Sequence, residues 1–99
     1  MIIVAGTFEV DPAERDAFLA GRDEGMRRSR AEPGCISYVF SADPIEPGRV
    51  HLFERWESKD ALGAHLAAAQ VAGPQPAGVA VRAAEILQYE ISAVGPLGS

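Results

Sequence analysis

The residues best equipped for chemistry in this 99-residue chain are Glu54, Trp56 and His65. Glu54 and Trp56 stand two apart in the segment RVHLFERWE (49–57), so on a strand both side chains project to one face. His65 falls on the apolar side of a following helical segment, spaced i, i+3, i+4 and i+7 with Leu62, Leu66 and Ala69. If that strand face looks at the helix, a carboxylate, an indole and an imidazole converge between helix and sheet. A buried carboxylate beside an imidazole favours the protonated ring or selects one tautomer. The result is an acid/base pair next to an aromatic wall, with His65 and Glu54 as candidate catalytic groups. The competing account is structural: a lone His on an apolar helix face is a satisfied core residue, and a Trp closing a strand is core. Glu54 is the residue that account explains least, because a buried carboxylate needs a partner.

Other chemistries are poorly served. His51 has the opposite strand parity to Glu54, so the two cannot chelate one ion from a regular strand. Two His without an i, i+4 pair, and a single Cys, predict no metal site. Cys35, at the start of a strand, reads as a small hydrophobe. Gly-rich phosphate loops and nucleophile elbows are absent. Arg27, Arg28 and Arg30 crowd the end of the first helical segment. They read as a solvated end complementing the helix dipole, with an anion patch as the functional alternative.

The elements that must hold these residues follow from pattern. Residues 2–10 (IIVAGTFEV) make strand one, with Ile2, Val4, Phe8 and Val10 on one face and Ile3, Ala5 and Thr7 on the other. Asp11-Pro12-Ala13-Glu14 is a helix start, and Glu32-Pro33-Gly34 a stop, which predicts one helix from 12 to about 31. Its small-residue row, Ala17, Gly21 and Gly25, predicts close approach to the sheet. Residues 35–42 form strand two, with Ile36, Tyr38 and Phe40 alternating against Cys35, Ser37 and Val39. A turn-rich loop, 43–48, joins it to strand three, 49–57. Ser58 caps helix two, about 59–70; a Pro- and Gly-rich loop, 71–80, precedes strand four, 84–93.

The order βα-ββ-αβ predicts an α+β, ferredoxin-like domain: one four-stranded antiparallel sheet with both helices on one face. It spans residues 1–94, with a frayed tail at 95–99. The strands are apolar on both faces, and no third layer is encoded. A second copy of the sheet is the simplest cover, which predicts a homodimer packed face to face as a dimeric α+β barrel. Composition sets the outer bounds. Hydrophobic residues at 47% and charged residues at 23% argue for a globular chain. Nine bases against 14 acids disfavour a nucleic-acid binder, which needs a basic face. One cysteine excludes an internal disulfide framework. No apolar run approaches ~18 residues, so no membrane span is expected. The segment Met1-Ile2-Ile3-Val4-Ala5 reads as a strand rather than a signal peptide, and the expected setting is cytoplasmic.

The segments Glu32-Pro-Gly-Cys-Ile-Ser-Tyr38, Leu52-Phe-Glu-Arg-Trp-Glu-Ser58 and Ala61-Leu-Gly-Ala-His65-Leu66, in this order and spacing, resemble the antibiotic biosynthesis monooxygenase family. That family includes small quinol monooxygenases and relatives of haem-degrading monooxygenases, and the resemblance runs from strand one to strand four. It implies a dimer of ferredoxin-like units. It also implies oxygenation of an electron-rich aromatic, a quinol or anthrone, without flavin, haem cofactor or metal. With no cofactor to handle O₂, the substrate supplies the electrons. The protein binds it, excludes water and accepts a proton. By this resemblance Trp56 matches the family's cavity Trp and His65 its helix-two His. Thr7, or Gly6 one register away, stands where other branches carry a cavity Asn; this chain contains no Asn. With Trp56, Thr7 and Tyr38 are the expected substrate contacts. Haem-degrading relatives use a His beyond helix two, and residues 70–82 contain none, which disfavours haem as the substrate. The alternative from a different class is a non-catalytic dimer that binds a small metabolite or serves as an accessory protein.

Overall fold

The computed structural model describes residues 1–72 and 78–98. Four strands, β1 (Ile2–Val10), β2 (Cys35–Ala42), β3 (Arg49–Trp56) and β4 (Val81–Glu90), form one sheet in the order β2-β3-β1-β4, with every pair antiparallel. A single 3₁₀ turn (Pro12–Glu14) leads into α1 (Arg15–Ala20) and α2 (Asp23–Arg30), and α3 (Lys59–Ala72) follows β3. This is the ferredoxin-like plan expected from the element order.

The core lies between the helices and one sheet face, in two clusters. Phe18 of α1 packs with Val10 and Val50, flanked by Phe8 and Phe40. Leu62 of α3 packs with Ile2, Val4 and Trp56, flanked by Cys35, Tyr38 and Ala61. The even-numbered residues Val50, Leu52, Glu54 and Trp56 of β3 are all buried, so the helix-facing parity of that strand is the one the pattern gives. Asp11 Oδ1 accepts from the Ala13 N–H at 2.9 Å, and Ser58 Oγ from the Ala61 N–H at 3.1 Å, so both expected caps form.

Several local expectations are corrected. The first helix is not continuous: it breaks at Gly21 and Arg22, where the cheapest helix interruption in the segment lies. Nothing lies within 4 Å of a Cβ built on Gly25, and on Gly21 the only neighbours are carbonyls of its own helix. The small-residue row therefore opens space instead of closing on the sheet. In β2 the pairing runs Cys35↔Trp56, then Ser37↔Arg55 and Tyr38↔Glu54. Ile36 is the extra residue of a β-bulge, which puts Cys35 on the core side with Tyr38 and leaves Ile36 exposed. Helix α3 extends to Ala72, and β4 runs 81–90 rather than 84–93; of the expected loop, residues 73–77 lie outside the described ones. At Gly6 a Cβ would run into the Glu85 carbonyl of the neighbouring β4, so only glycine fits at this point of the β1–β4 pairing.

Candidate active site

The site is assembled from β2, β3, α3 and the turn between α2 and β2. On β3, Glu54 and Trp56 share the helix-facing side, and the indole N–H of Trp56 donates to Glu54 Oε1 at 3.0 Å. Trp56 is fully buried and Glu54 only 6% exposed. Burial pushes the Glu54 carboxyl above the usual range; the Trp56 N–H and His65 oppose that rise, and the Glu32 charge adds to it.

His65 lies one helical turn after Ala61 on α3. Its Nδ1 is 2.7 Å from Glu32 Oε1, and its Nε2 is 4.0 Å from Glu54 Oε1. The first distance is a strong hydrogen bond; the second is beyond one. A carboxylate only accepts, so Nδ1–H donates to Glu32 and the neutral ring keeps its lone pair on Nε2. The imidazole lies 4.7 Å from the Trp56 ring and 5.4 Å from the Tyr38 ring, centroid to centroid. Tyr38 stands opposite Glu54 in the β2–β3 pairing. Burial and the Glu54 charge raise its hydroxyl to about 12, against the smaller effects of a Ser29 hydrogen bond and the Arg22 charge. Tyr38 therefore stays a protonated donor at neutral pH.

Glu32, expected as part of a helix stop and of the family-like segment, joins the site as the partner of His65. What puts it there is Gly34, at φ 82°, where a Cβ would fall 2.5 Å from Ala61 Cβ. The Glu57 N–H also donates to the Gly34 carbonyl at 2.9 Å. The turn is thus pressed onto the start of α3, one turn below His65. The signal available in the sequence was the hairpin itself: once Cys35 pairs with Trp56, the turn just before it overlies the helix that follows Trp56.

Two hollows meet at His65. The inner cleft, about 140 Å³, runs between α2, β2 and α3 past Arg22, Gly25, Ser29, Tyr38 and Phe40. The outer one, about 350 Å³, is edged by Glu32, Glu57, Asp60 and Ala61. The Gly25 gap noted above supplies part of the inner space.

The other expected residues lie elsewhere. Thr7 pairs with His51 and Glu85 and borders a depression of about 330 Å³ on the helix-free face, with Phe53, Leu87 and Tyr89. Strand parity therefore separates Thr7 from His65 by the thickness of the sheet, and Gly6 carries no side chain to replace it. Leu66 is 55% exposed while Leu62 is 4% exposed, so the apolar face of α3 is narrower than its spacing suggests. His51 Nε2 contacts Asp43 Oδ1 at 2.6 Å, away from the site. Cys35 packs beside the core, its thiol pushed up by burial and by Glu32 and Glu54. Among the described residues, no three His, Cys, Asp or Glu side chains are grouped to hold a metal ion, and no helix is long and apolar enough to cross a membrane.

The fold is shared with solved structures. A provisionally named antibiotic biosynthesis monooxygenase from Deinococcus radiodurans is 25% identical, with a TM-score of 0.76 over 99% of this chain and 100% of that one. The haem-degrader MhuD from Mycobacterium tuberculosis, solved with two haems in its active site, is 15% identical with a TM-score of 0.74, covering 97% of this chain and 100% of that one. At that identity the likeness is one of fold. An uncharacterised protein from Synechocystis, sll1783, is 41% identical over 65 residues, 66% of this chain. The chain spans only 44% of that relative's length. Residues 1–73 match the family of the antibiotic biosynthesis monooxygenases, and they contain every strand and helix of the fold except β4. The chain belongs to the antibiotic biosynthesis monooxygenase family.

Proposed function

We propose that the protein is a cofactor-independent monooxygenase that oxidises a small electron-rich aromatic of the quinol type with O₂. The observation that carries this reading is the placement of His65: its Nδ1 is hydrogen-bonded to Glu32, and the ring lies beside two aromatic rings and lines an open cleft. In the proposed reaction Nε2 accepts the proton of a substrate hydroxyl. Glu32 orients the ring and stabilises the imidazolium that forms, the task a buried carboxylate performs for a catalytic His elsewhere. Glu54, 4.0 Å from Nε2, adds a second negative group facing the same charge. The deprotonated substrate gives its electrons to O₂. One oxygen atom enters the ring and the other leaves as water, so a quinol loses four electrons and becomes a hydroxyquinone. Trp56 and Tyr38 supply the aromatic surroundings, and in this reading the Tyr38 O–H donates to the developing oxyanion.

Size argues for a quinol over an anthrone. A cavity of about 150 Å³ suffices for a benzene ring. The inner cleft matches one ring and not three. The deciding experiment is oxygen uptake with a panel of quinols and anthrones, on the chain and on His65→Ala. Removing a general base should lower turnover by about 10²–10⁴-fold. Uptake unchanged in that variant refutes the assignment of His65. Tight binding of a quinol with no uptake at all would instead leave a binding module on this fold.

A further inference from the structure

The inner cleft is basic in an acidic chain. The sequence carries 14 acids and nine bases, yet the cleft is bordered by Arg22 and Arg28 and by no carboxylate. Neither arginine forms an ion pair or side-chain hydrogen bond with a described residue. Their neighbours do: Arg27 pairs with Asp23 at 2.9 Å, and Arg30 donates to the Tyr38 carbonyl at 2.8 Å. Arg22 is held in place without being neutralised. Its guanidinium carbon lies over the Phe18 ring, 4.4 Å from the centroid, and 5.6 Å from that of Phe40, contacts that hold the cation while leaving its N–H groups unpaired among the described residues.

The aromatic groups then form a graded path. Phe40 is 5.9 Å from Tyr38, and Tyr38 is 5.4 Å from His65, centroid to centroid. A fixed cation stands at one end of this path and a base at the other, with ring surface between. On the far side of His65 the sign reverses, where Glu32, Glu57 and Asp60 edge the outer hollow. An anionic ligand is therefore drawn to one side of the imidazole only.

We propose that the inner cleft is built for an aromatic acid: a hydroxylated ring whose carboxylate is bound by Arg22 and Arg28 while its ring hydroxyl reaches His65. This rests on the cleft being the substrate site, as proposed above, and narrows the substrate from any small quinol to one bearing a ring carboxylate meta to the reacting hydroxyl. A bidentate guanidinium–carboxylate contact is the strong, directional form of such recognition. A single ring suits the volume, and because Arg28 is exposed, a carboxylate bound to it adds its bulk on the solvent side.

The test is calorimetric titration under argon, so that binding is read without turnover. The probes are 2,5-dihydroxybenzoate and its methyl ester, which share the quinol ring and differ in charge. The acid should bind about tenfold or more tightly than the ester, the lower end of what a charge-assisted hydrogen bond supplies. The preference should shrink in high salt. Arg28→Gln, at an exposed helix position where folding is not at stake, should move the ratio toward one, and Arg22→Gln further. Equal binding of acid and ester, or a ratio unchanged in both variants, overturns the proposal. Oxygen uptake is scored separately. An acid preference lost in Arg28→Gln, without uptake, upholds this subsite and refutes the monooxygenase reading. Uptake with no acid preference does the reverse.

Discussion

Replacing Trp56 by Phe tests whether the indole N–H sustains the buried Glu54 carboxylate. Two losses combine. The smaller ring leaves roughly 40 Å³ of side-chain volume unfilled in a fully buried position, which at ~24 cal/mol per Å³ is about 1 kcal/mol. The lost N–H deprives a carboxylate of a charge-assisted hydrogen bond, worth about 1.5–3 kcal/mol. Together Trp56→Phe should cost about 2.5–4 kcal/mol at neutral pH. The two parts respond differently to pH. Burial raises the folded-state pKa of Glu54 above its unfolded value, so the folded chain keeps that proton to higher pH. Glu54 therefore costs nothing in stability at low pH, and the cost grows as pH rises through the unfolded and then the folded value. The Trp56 N–H opposes that cost, so its share of the Trp56→Phe effect belongs to the ionised form and fades on acidification. The volume share stays. Trp56 is the only Trp, so urea unfolding is followed by far-ultraviolet circular dichroism, at one protein concentration throughout. The cycle Trp56→Phe, Glu54→Gln and the double variant should show a coupling above about 0.5 kcal/mol, the limit for independent sites. A cost that is the same at acidic and alkaline pH, with additive variants, refutes the account of Glu54 as a carboxylate stabilised by Trp56.

Three further outcomes follow from the geometry. Leu62→Ala should cost about 2–5 kcal/mol in the same unfolding assay, while the exposed Leu66→Ala should stay within about 0.5 kcal/mol; equal costs would contradict the narrow apolar face of α3. Glu32→Gln should slow oxygen uptake by about 10–100-fold, the usual worth of a group that orients another; Glu32→Asp should recover part of it, and wild-type rates in Glu32→Gln would remove Glu32 from the site. The helix-free sheet face exposes Phe53, Leu87 and Tyr89, so sedimentation at micromolar concentration should give about twice the 10.5 kDa chain mass; a monomer there would refute the expected face-to-face pairing.

Strand parity and caps made most of the fold legible. Val50, Leu52, Glu54 and Trp56 announce their buried face in one dimension, and Asp11 and Ser58 mark where helices begin. The sheet order follows from chain connectivity once the elements are known. What escaped was whatever depended on one residue more or less. The bulge at Ile36 moved Cys35 to the core side, and no propensity marks a bulge in advance. Gly21 and Gly25 were legible as small residues, but the sequence cannot say whether the missing side chains admit a neighbour or leave room. The site was half visible. Glu54, Trp56 and His65 share a periodicity argument, whereas Glu32 reaches His65 only through the left-handed turn at Gly34, a tertiary fact. Thr7 was placed by analogy with a cavity residue, and its own parity puts it on the other face.

The break at Gly21 and Arg22 has a consequence for cooperativity. It divides the cleft wall into helices of six and eight residues, each shorter than the ~12–15 residues at which a helix persists by itself. Neither has a side-chain bond at its N-cap, and each sends a single residue into the buried interior, Phe18 from one and Ser29 from the other. Their order is borrowed from those two anchors and from bonds outside the helices, Arg15 donating to the Asp43 and Glu46 carbonyls and Arg30 to that of Tyr38. The central pair of strands, β1 and β3, is instead held by a full antiparallel ladder. Amide protons of the α1–α2 wall should therefore exchange before those of the β1–β3 ladder. The wall that borders a cleft of one-ring size is ordered by what it touches on the sheet more than by its own helices.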